Sequence, residues 1–193
     1  MKHPFISCLV LLFCCVNPAY SNDFEDGRDE NSVQAIQSLE AYAKYKMGNY
    51  QEAREIWLML AAKSNTTAMI NLANLYDQGQ GVERDLAKSV IWLKKAAELN
   101  DTRGQYQLAM AYENGLGVER DLSQAAYWLE KAAKQGDETA QFNLGVMLAT
   151  NYGEGLASSS DEQRIAAKKW LQKADENGVD EAKDFLKLLS TMM

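Results

Sequence analysis

The stretches WLMLAA (57–62), WLKKAA (92–97), WLEKAA (128–133) and WLQKAD (170–175) hold all four tryptophans of this 193-residue chain. The steps from Trp57 to Trp92, from Trp92 to Trp128 and from Trp128 to Trp170 are 35, 36 and 42 residues. A fixed period of about 20–50 residues is typical of a solenoid, in which each unit buries its apolar face against its neighbours. The sequence therefore predicts a repeat protein whose tryptophans fill the space between units.

The two central units of the chain align without a gap. The matching stretches are AMINLANLY (68–76) with GQYQLAMAY (104–112), and GQGVERDL (79–86) with GLGVERDL (115–122). A third copy carries an enlarged loop at 151–160. Each unit predicts a first helix that ends near Tyr76 or Tyr112, a glycine turn, and a second helix capped by Asp85 or Asp121.

The shared pattern Ala-x-x-x-Leu-[Ala/Gly]-x-x-Tyr-x-x-Gly-x-Gly-Val-x-x-Asp, followed by Trp-x-x-x-Ala-Ala, resembles the Sel1-like repeat, a relative of the tetratricopeptide repeat. The resemblance implies an all-α fold: a right-handed α-solenoid of stacked antiparallel helix pairs, with about four units and a C-terminal capping helix. The first unit lacks the glycine loop and is more similar to a tetratricopeptide pair. In that unit Asn49 and Glu52 are spaced as a capping box.

The start of the chain is typical of a secretory signal. An apolar stretch runs from Phe5 to Val16, and small residues at Ala19 and Ser21 favour cleavage after Ser21. The stretch is too short to span a bilayer, so we expect a periplasmic or secreted protein with no stable membrane insertion. The expected segments are the signal peptide (1–21), an acidic disordered leader (22–31), a tetratricopeptide-like helix pair (32–66), two Sel1-like repeats (67–100 and 101–136), a Sel1-like repeat with the enlarged loop (137–178) and the capping helix (179–193).

Cleavage would also change the chemistry available to the protein. Residues 1–21 contain every cysteine, histidine and proline of the chain. The remainder would have no disulfide, cysteine nucleophile, histidine base or ordinary zinc site, so we expect no enzyme activity, no cofactor and no metal. Loss of the one lysine in this segment changes the net charge from −7 to −8, and an acidic protein repels nucleic-acid phosphates.

The resemblance to Sel1-like proteins implies an exported, non-enzymatic scaffold or adaptor. Its partner would be another protein or a peptide segment, bound through the concave face of the solenoid. A module that binds cell-wall glycan or peptidoglycan by aromatic stacking is the alternative. A β-lactamase-like enzyme is a remote alternative, disfavoured because a chain without cysteine and histidine departs from the disulfide-stapled repeats of such proteins.

One row of side chains on the first helices is the best candidate for a partner-binding surface. The row consists of Asn71, Gln107 and Asn143, at a spacing of 36 residues, and helical spacing places Asn74 and Met110 one turn further on. Such a ladder can hydrogen-bond an extended peptide. A second row on the same helices has the same spacing: Met69, Gln105 and Gln141. A solvated face, or hydrogen bonds between repeats, would produce the same pattern.

Overall fold

The computed structural model describes residues 29–191, and these residues form helices joined by turns, with no strand among them. The expected all-α fold of paired helices is confirmed. The predicted signal peptide and residues 22–28 of the predicted leader lie outside the described residues. Among the described residues, 37–191 belong to one compact unit, which contains every helix from α2 to α9.

The helices of the described residues are paired along the chain. The helices α2, α4, α6 and α8 carry the tryptophan motif and are the second members of the pairs. In chain order the helices are α1 Glu30–Lys46, α2 Tyr50–Ala62, α3 Thr66–Gln78, α4 Leu86–Glu98, α5 Thr102–Asn114, α6 Leu122–Lys134, α7 Glu138–Ala149, α8 Asp161–Glu176 and α9 Glu181–Ser190. A 3₁₀ turn at Leu156–Ser158 lies in the enlarged loop. The first helix begins at Glu30, so the last two residues of the predicted leader are helical.

Aspartate side chains begin the second helices of the two central pairs. The carboxylate of Asp85 accepts the backbone N–H of Lys88 at 2.9 Å. The carboxylate of Asp121 accepts the N–H groups of Ser123 and Gln124 at 2.9 and 3.0 Å. These bonds satisfy amides that the helix itself leaves unpaired, and they confirm both predicted caps.

The capping box expected from Asn49 and Glu52 is wrong. Asn49 makes no side-chain hydrogen bond to the start of α2, because its backbone, with φ −80° and ψ 59°, lies outside the extended conformation that aims a capping side chain at the helix. A capping box forms instead at the start of α8. There the Ser160 hydroxyl accepts the Gln163 N–H at 3.2 Å, and the Gln163 amide oxygen accepts the Ser160 N–H at 2.8 Å.

The glycine loops form the turns between the helices of a pair, as predicted. Gly79 and Gly115 follow α3 and α5 with φ of +67°, the left-handed conformation that ends many helices. Gly117 is also left-handed and lies against the preceding repeat. A Cβ atom at Gly117 would overlap the carbonyl oxygen of Leu86 at the start of α4. The second glycine of the loop therefore permits a close approach between repeats as well as a turn.

The tryptophans occupy the core only in part. Trp57 and Trp128 are 2% and 8% exposed and lie in the apolar core between helices, as expected. Trp92 and Trp170 are half-buried, and the ammonium groups of Lys95 and Lys173 lie 4.1 and 4.9 Å from their ring centroids. The outer parts of these two rings meet solvent, so the expectation of a core position holds less well for them.

The last helix closes the apolar core at its C-terminal end. Ala182 and Leu189 of α9 are buried, and the ring of Phe185 meets that of Phe142 edge to face, with centroids 5.7 Å apart. Within residues 29–191, no helix combines the length and the apolar character needed to cross a membrane.

Candidate functional site

Buried amides join consecutive repeats, and they lie on the first helices beside the predicted ladder. The Gln105 side chain is 1% exposed; its Nε2 donates to the carbonyl of Ala97 at 3.3 Å and to Asn100 Oδ1 at 3.0 Å. Its Oε1 accepts from Gln135 Nε2 at 2.8 Å. A buried amide whose bonds are all made within the protein has little left to offer a partner.

Gln141 repeats the same arrangement one unit later. It is 3% exposed, donates to the Ala133 carbonyl at 3.2 Å and accepts from Asn177 Nδ2 at 2.9 Å. Met69, which holds the equivalent place on α3, is 5% exposed. Of the alternatives left open by the sequence, hydrogen bonds between repeats account for Gln105 and Gln141 of this second row, which packs against the neighbouring repeat.

A pocket of about 210 Å³ opens where α3, α4 and α5 meet. Leu86, Val90 and Leu93 of α4 supply much of its apolar lining. Its polar lining comes mainly from first helices, with Asn74 on α3 and Gln107 on α5. The result is an apolar pocket with amides at its edge, which suits an apolar side chain flanked by a peptide backbone.

A second pocket, of about 180 Å³, is the copy of the first pocket in the next repeat. Positions 36 residues apart line the two pockets: Asp77 and Glu113, Leu86 and Leu122, Gln107 and Asn143, Met110 and Val146, Ala111 and Met147, and Leu116 and Tyr152. We call these two cavities the paired pockets. Because the repeat generates both, these six positions recur one repeat further on, although the second pocket adds Arg120, Thr150 and Gly153 and is more polar.

The structure brings four of the five predicted residues to the paired pockets. Asn74, Gln107 and Met110 line the first, and Asn143 lines the second. The Asn143 amide also donates to the Tyr106 hydroxyl at 3.4 Å and so contacts α5. Asn71 is half-buried on α3 and lines neither pocket.

The charges around the paired pockets are fixed by contacts within each repeat. Exposed Arg84 donates through Nε to the carbonyl of Asp77 at 2.7 Å, and Arg120 donates in the same way to Glu113 at 2.9 Å. These bonds cap carbonyls at the ends of α3 and α5 and hold each guanidinium beside a carboxylate-bearing residue. Acidic and basic side chains therefore alternate along this edge of the paired pockets. Such an edge is suited to the polar backbone of a peptide whose apolar side chains enter the pockets.

The cap of α4 adds an exposed ion pair next to the first pocket. Lys88 Nζ lies 3.0 Å from Asp85 Oδ2. The backbone N–H of Lys88, and then its ammonium, hold the pKa of Asp85 below its usual value. The Asp85 carboxylate in turn raises the pKa of Lys88. Both groups are therefore charged at neutral pH. Within residues 29–191, no cluster of histidine, cysteine or acidic side chains is arranged to hold a metal ion.

Sequence reasoning missed the acidic and apolar members of the paired pockets. Asp77 and Glu113 are 36 residues apart, as are Leu86 and Leu122, so the same spacing argument could have found them. Leu116 gave a further signal in the sequence, because it is an apolar residue between the two glycines of a turn; in the structure it is 49% exposed.

The comparison with protein families agrees with this geometry. A family model for the Sel1 repeat matches residues 66–101, 102–137 and 139–179, which is more than half of the chain. The chain belongs to the Sel1 repeat family. Each matched segment contains one first helix and the second helix that follows it, so the paired pockets lie at the junctions of Sel1 repeats, and the α1–α2 pair precedes the matched region.

Two solved structures are similar to this Sel1 repeat chain. One is a Sel1 repeat protein from Oxalobacter formigenes, 27% identical with a TM-score of 0.67; the match covers 78% of this chain and 60% of that one. The other is a protective antigen present in uropathogenic Escherichia coli strains that displays an SLR fold, 33% identical with a TM-score of 0.63; the match covers 71% of this chain and 28% of that one. This chain therefore spans less than two thirds of either protein. A search of curated proteins gave no match.

Proposed function

We propose that this protein is an exported, non-enzymatic adaptor that binds an extended segment of another protein across the paired pockets. Sel1 repeat proteins generally act as protein-interaction scaffolds. The observation that supports the proposal is the duplication: two pockets that share six equivalent lining positions lie one repeat apart on the first-helix side, the first mainly apolar and the second more polar. A repeated pocket is suited to a ligand that is itself a chain.

The spacing of the repeat indicates the form of that segment. The hydrogen bond from Asn143 to Tyr106 joins α5 and α7, so the first helices of consecutive repeats are neighbours and the two pockets follow one another along them. We therefore propose a partner segment in an extended, polyproline-II-like conformation, with one side chain for each of the paired pockets.

The amides and charged groups at the rim supply the remaining recognition. A polyproline-II segment makes no internal hydrogen bonds, so its backbone groups are available to the side chains of Gln107 and Asn143. Asp77 and Glu113 each have an arginine beside them, so the rim favours a segment without a strong net charge.

The test begins with affinity capture from the native host and mapping of the bound segment of the partner. The variant Gln107→Ala/Asn143→Ala should bind that segment with an affinity at least tenfold lower than wild type, a loss of about 1.4 kcal/mol in binding free energy. Asn71→Ala is the matched control, because it removes an amide of the same row outside the paired pockets, and it should bind within twofold of wild type. Circular dichroism should show the same helix content in all three proteins.

Two outcomes would contradict this assignment. Normal binding by the folded double variant would show that the paired pockets do not contact the partner. Equal weakening by Asn71→Ala would assign recognition to the whole ladder instead of the pockets. Recovery of the protein with the cell-wall fraction, with no discrete protein partner, would favour the glycan alternative.

Export is part of the proposal and has its own test. It is supported by the apolar stretch from Phe5 to Val16 and the cleavage pattern at Ala19 and Ser21. Intact-mass analysis of protein from the native host should give a chain that begins at Asn22 and carries no thiol. A chain that retains Cys14, with or without a lipid, would refute cleavage at this position.

A further inference from the structure

A third pocket, of about 350 Å³, lies between α6, α7 and α8. Its volume is within the range of small-molecule pockets, about 300–1,000 Å³, whereas the paired pockets are smaller. Three aromatic side chains line it: Tyr127 of α6, Tyr152 of the enlarged loop and Trp170 of α8. We call it the aromatic pocket. Tyr152 borders both this pocket and the second of the paired pockets.

Compared with the preceding repeat, this pocket has smaller residues at three lining positions and larger ones, Tyr127 and Tyr152, where that repeat has Ile91 and Leu116. Where that repeat has Val90, this one has Ala126, and where that repeat has Gln124, this one has Ala166. Both alanines line the aromatic pocket. Leu148, also in the lining, takes the place of the larger Tyr112 of the preceding repeat.

The tryptophan of this repeat lines the pocket. Trp170 is half-buried there, as Trp92 is two repeats earlier, whereas Trp128 is 8% exposed. The loop contributes in a second way, because Tyr152 has a φ of +55°, a left-handed conformation that costs a residue with a side chain about 1–2 kcal/mol. Backbone strain of this kind is concentrated at functional sites.

The charges around the aromatic pocket disfavour a cationic ligand. The ammonium of Lys131 lies 5.2 Å from the Tyr127 ring centroid, and that of Lys173 lies 4.9 Å from the Trp170 ring centroid. The rings therefore already have cations beside them, which leaves less attraction for a cationic ligand. Glu130, the charged residue of the lining, is paired with Lys134 at 2.8 Å and so is neutralised.

The remaining chemistry is neutral and mixed. The rings offer flat apolar faces, while the phenols of Tyr127 and Tyr152, the Ser123 hydroxyl and the Glu130 carboxylate offer hydrogen-bond donors and acceptors. We propose that the aromatic pocket binds a neutral glycan. The C–H face of a pyranose ring would stack on Trp170 or Tyr127, and its hydroxyls would bond to the polar groups around them.

This site shares Tyr152 with the proposed adaptor surface, but its other lining residues differ, so the two can be tested separately. The purified protein should be titrated by calorimetry with three neutral tetrasaccharides: chitotetraose, cellotetraose and maltotetraose. We expect saturable binding of at least one of them, together with a change in tryptophan fluorescence. Trp170→Ala should weaken that binding at least tenfold.

The repeat supplies the control variants. Trp92→Ala removes a half-buried tryptophan at the same repeat position outside the aromatic pocket, and it should bind sugar within twofold of wild type. Ala126→Val/Ala166→Gln restores the residues of the preceding repeat, so it should fill the pocket and abolish binding while every ring stays in place. The adaptor variant Gln107→Ala/Asn143→Ala should leave sugar binding unchanged.

Each other outcome would overturn the proposal. Failure of all three sugars to bind would exclude a neutral glycan. Normal sugar binding by the folded Ala126→Val/Ala166→Gln variant, or equal weakening by Trp92→Ala, would place the sugar elsewhere. A protein partner that requires Trp170, in the absence of sugar binding, would make this pocket a second protein-binding surface.

Discussion

Replacement of Gly117 by alanine tests how closely successive repeats approach each other. Gly117 has a φ of +72°, and a Cβ atom there would overlap the carbonyl oxygen of Leu86 in the preceding repeat. The left-handed backbone costs alanine about 1–2 kcal/mol. Relief of the overlap requires the loop to move away from α4, and overpacking of this kind costs about 1–3 kcal/mol. We therefore expect Gly117→Ala to lower the free energy of unfolding by about 2–5 kcal/mol.

Gly136→Ala is the matched control for this change. Gly136 is also left-handed, with a φ of +98°, but nothing lies within 4 Å of the position its Cβ would take. Gly136→Ala should therefore lower the free energy of unfolding only through the strain of alanine in a left-handed backbone, by about 1–2 kcal/mol. The entropy that alanine removes from the unfolded chain is the same in both variants, so it cancels in the comparison.

The assay is urea denaturation followed by far-ultraviolet circular dichroism, with the m-value compared between variants. The difference between Gly117→Ala and Gly136→Ala should be about 1–3 kcal/mol. If the two variants lose equal stability, the second glycine of the loop is needed only for its backbone conformation. The close contact between the loop and α4 would then contribute nothing to stability.

Other predictions concern core and capping side chains. Trp128→Ala should lower the free energy of unfolding by about 3–5 kcal/mol and Trp170→Ala by about 1–2 kcal/mol, because Trp128 is buried and Trp170 is half-buried. Equal losses in urea denaturation would contradict this account. Asp85 has a lowered pKa, so its contribution to stability is present above its unfolded pKa and is lost as the pH falls. The stability difference between wild type and Asp85→Ala should therefore shrink below about pH 3.8, and a constant difference from pH 7 to pH 2 would refute the capping role. Gln105→Ala should cost about 1–3 kcal/mol, because its buried partners lose their bonds. Gln107→Ala, on the same helix, should stay within about 0.5 kcal/mol of wild type by the same assay.

The local features of this fold were readable because each depends on neighbours in sequence. Asp85 and Asp121 cap helices through amides two or three residues away. Gly79 and Gly115 end helices through their own backbone conformation. The recurrence of these signals with the tryptophans predicted a repeat of helical units, and the resemblance to the Sel1-like repeat implied the all-α fold of stacked helix pairs. The capping box predicted at Asn49 was wrong although its spacing to Glu52 was right. A cap also requires an extended backbone at Asn49, and the sequence does not show that backbone angle.

The candidate site was only partly predictable, because a repeat period preserves every row of residues equally. Gln105 and Gln107 both recur at 36 residues, yet the first is buried in the joint between repeats and the second lines a pocket. Two residues apart on an α-helix, with 3.6 residues per turn, they point in nearly opposite directions. Which direction faces the next repeat depends on how the helices pack.

The amino-acid sequence by itself determined the repeat, its turns and its caps, since those are local and periodic. The tertiary structure decided where a departure from the repeat pattern leaves a pocket. Ala126 and Ala166 look like ordinary small residues of helices in the sequence. Only when α6, α7 and α8 are packed together do they leave a cavity beside Trp170, because a cavity is defined by the side chains of several helices that no single stretch of sequence contains.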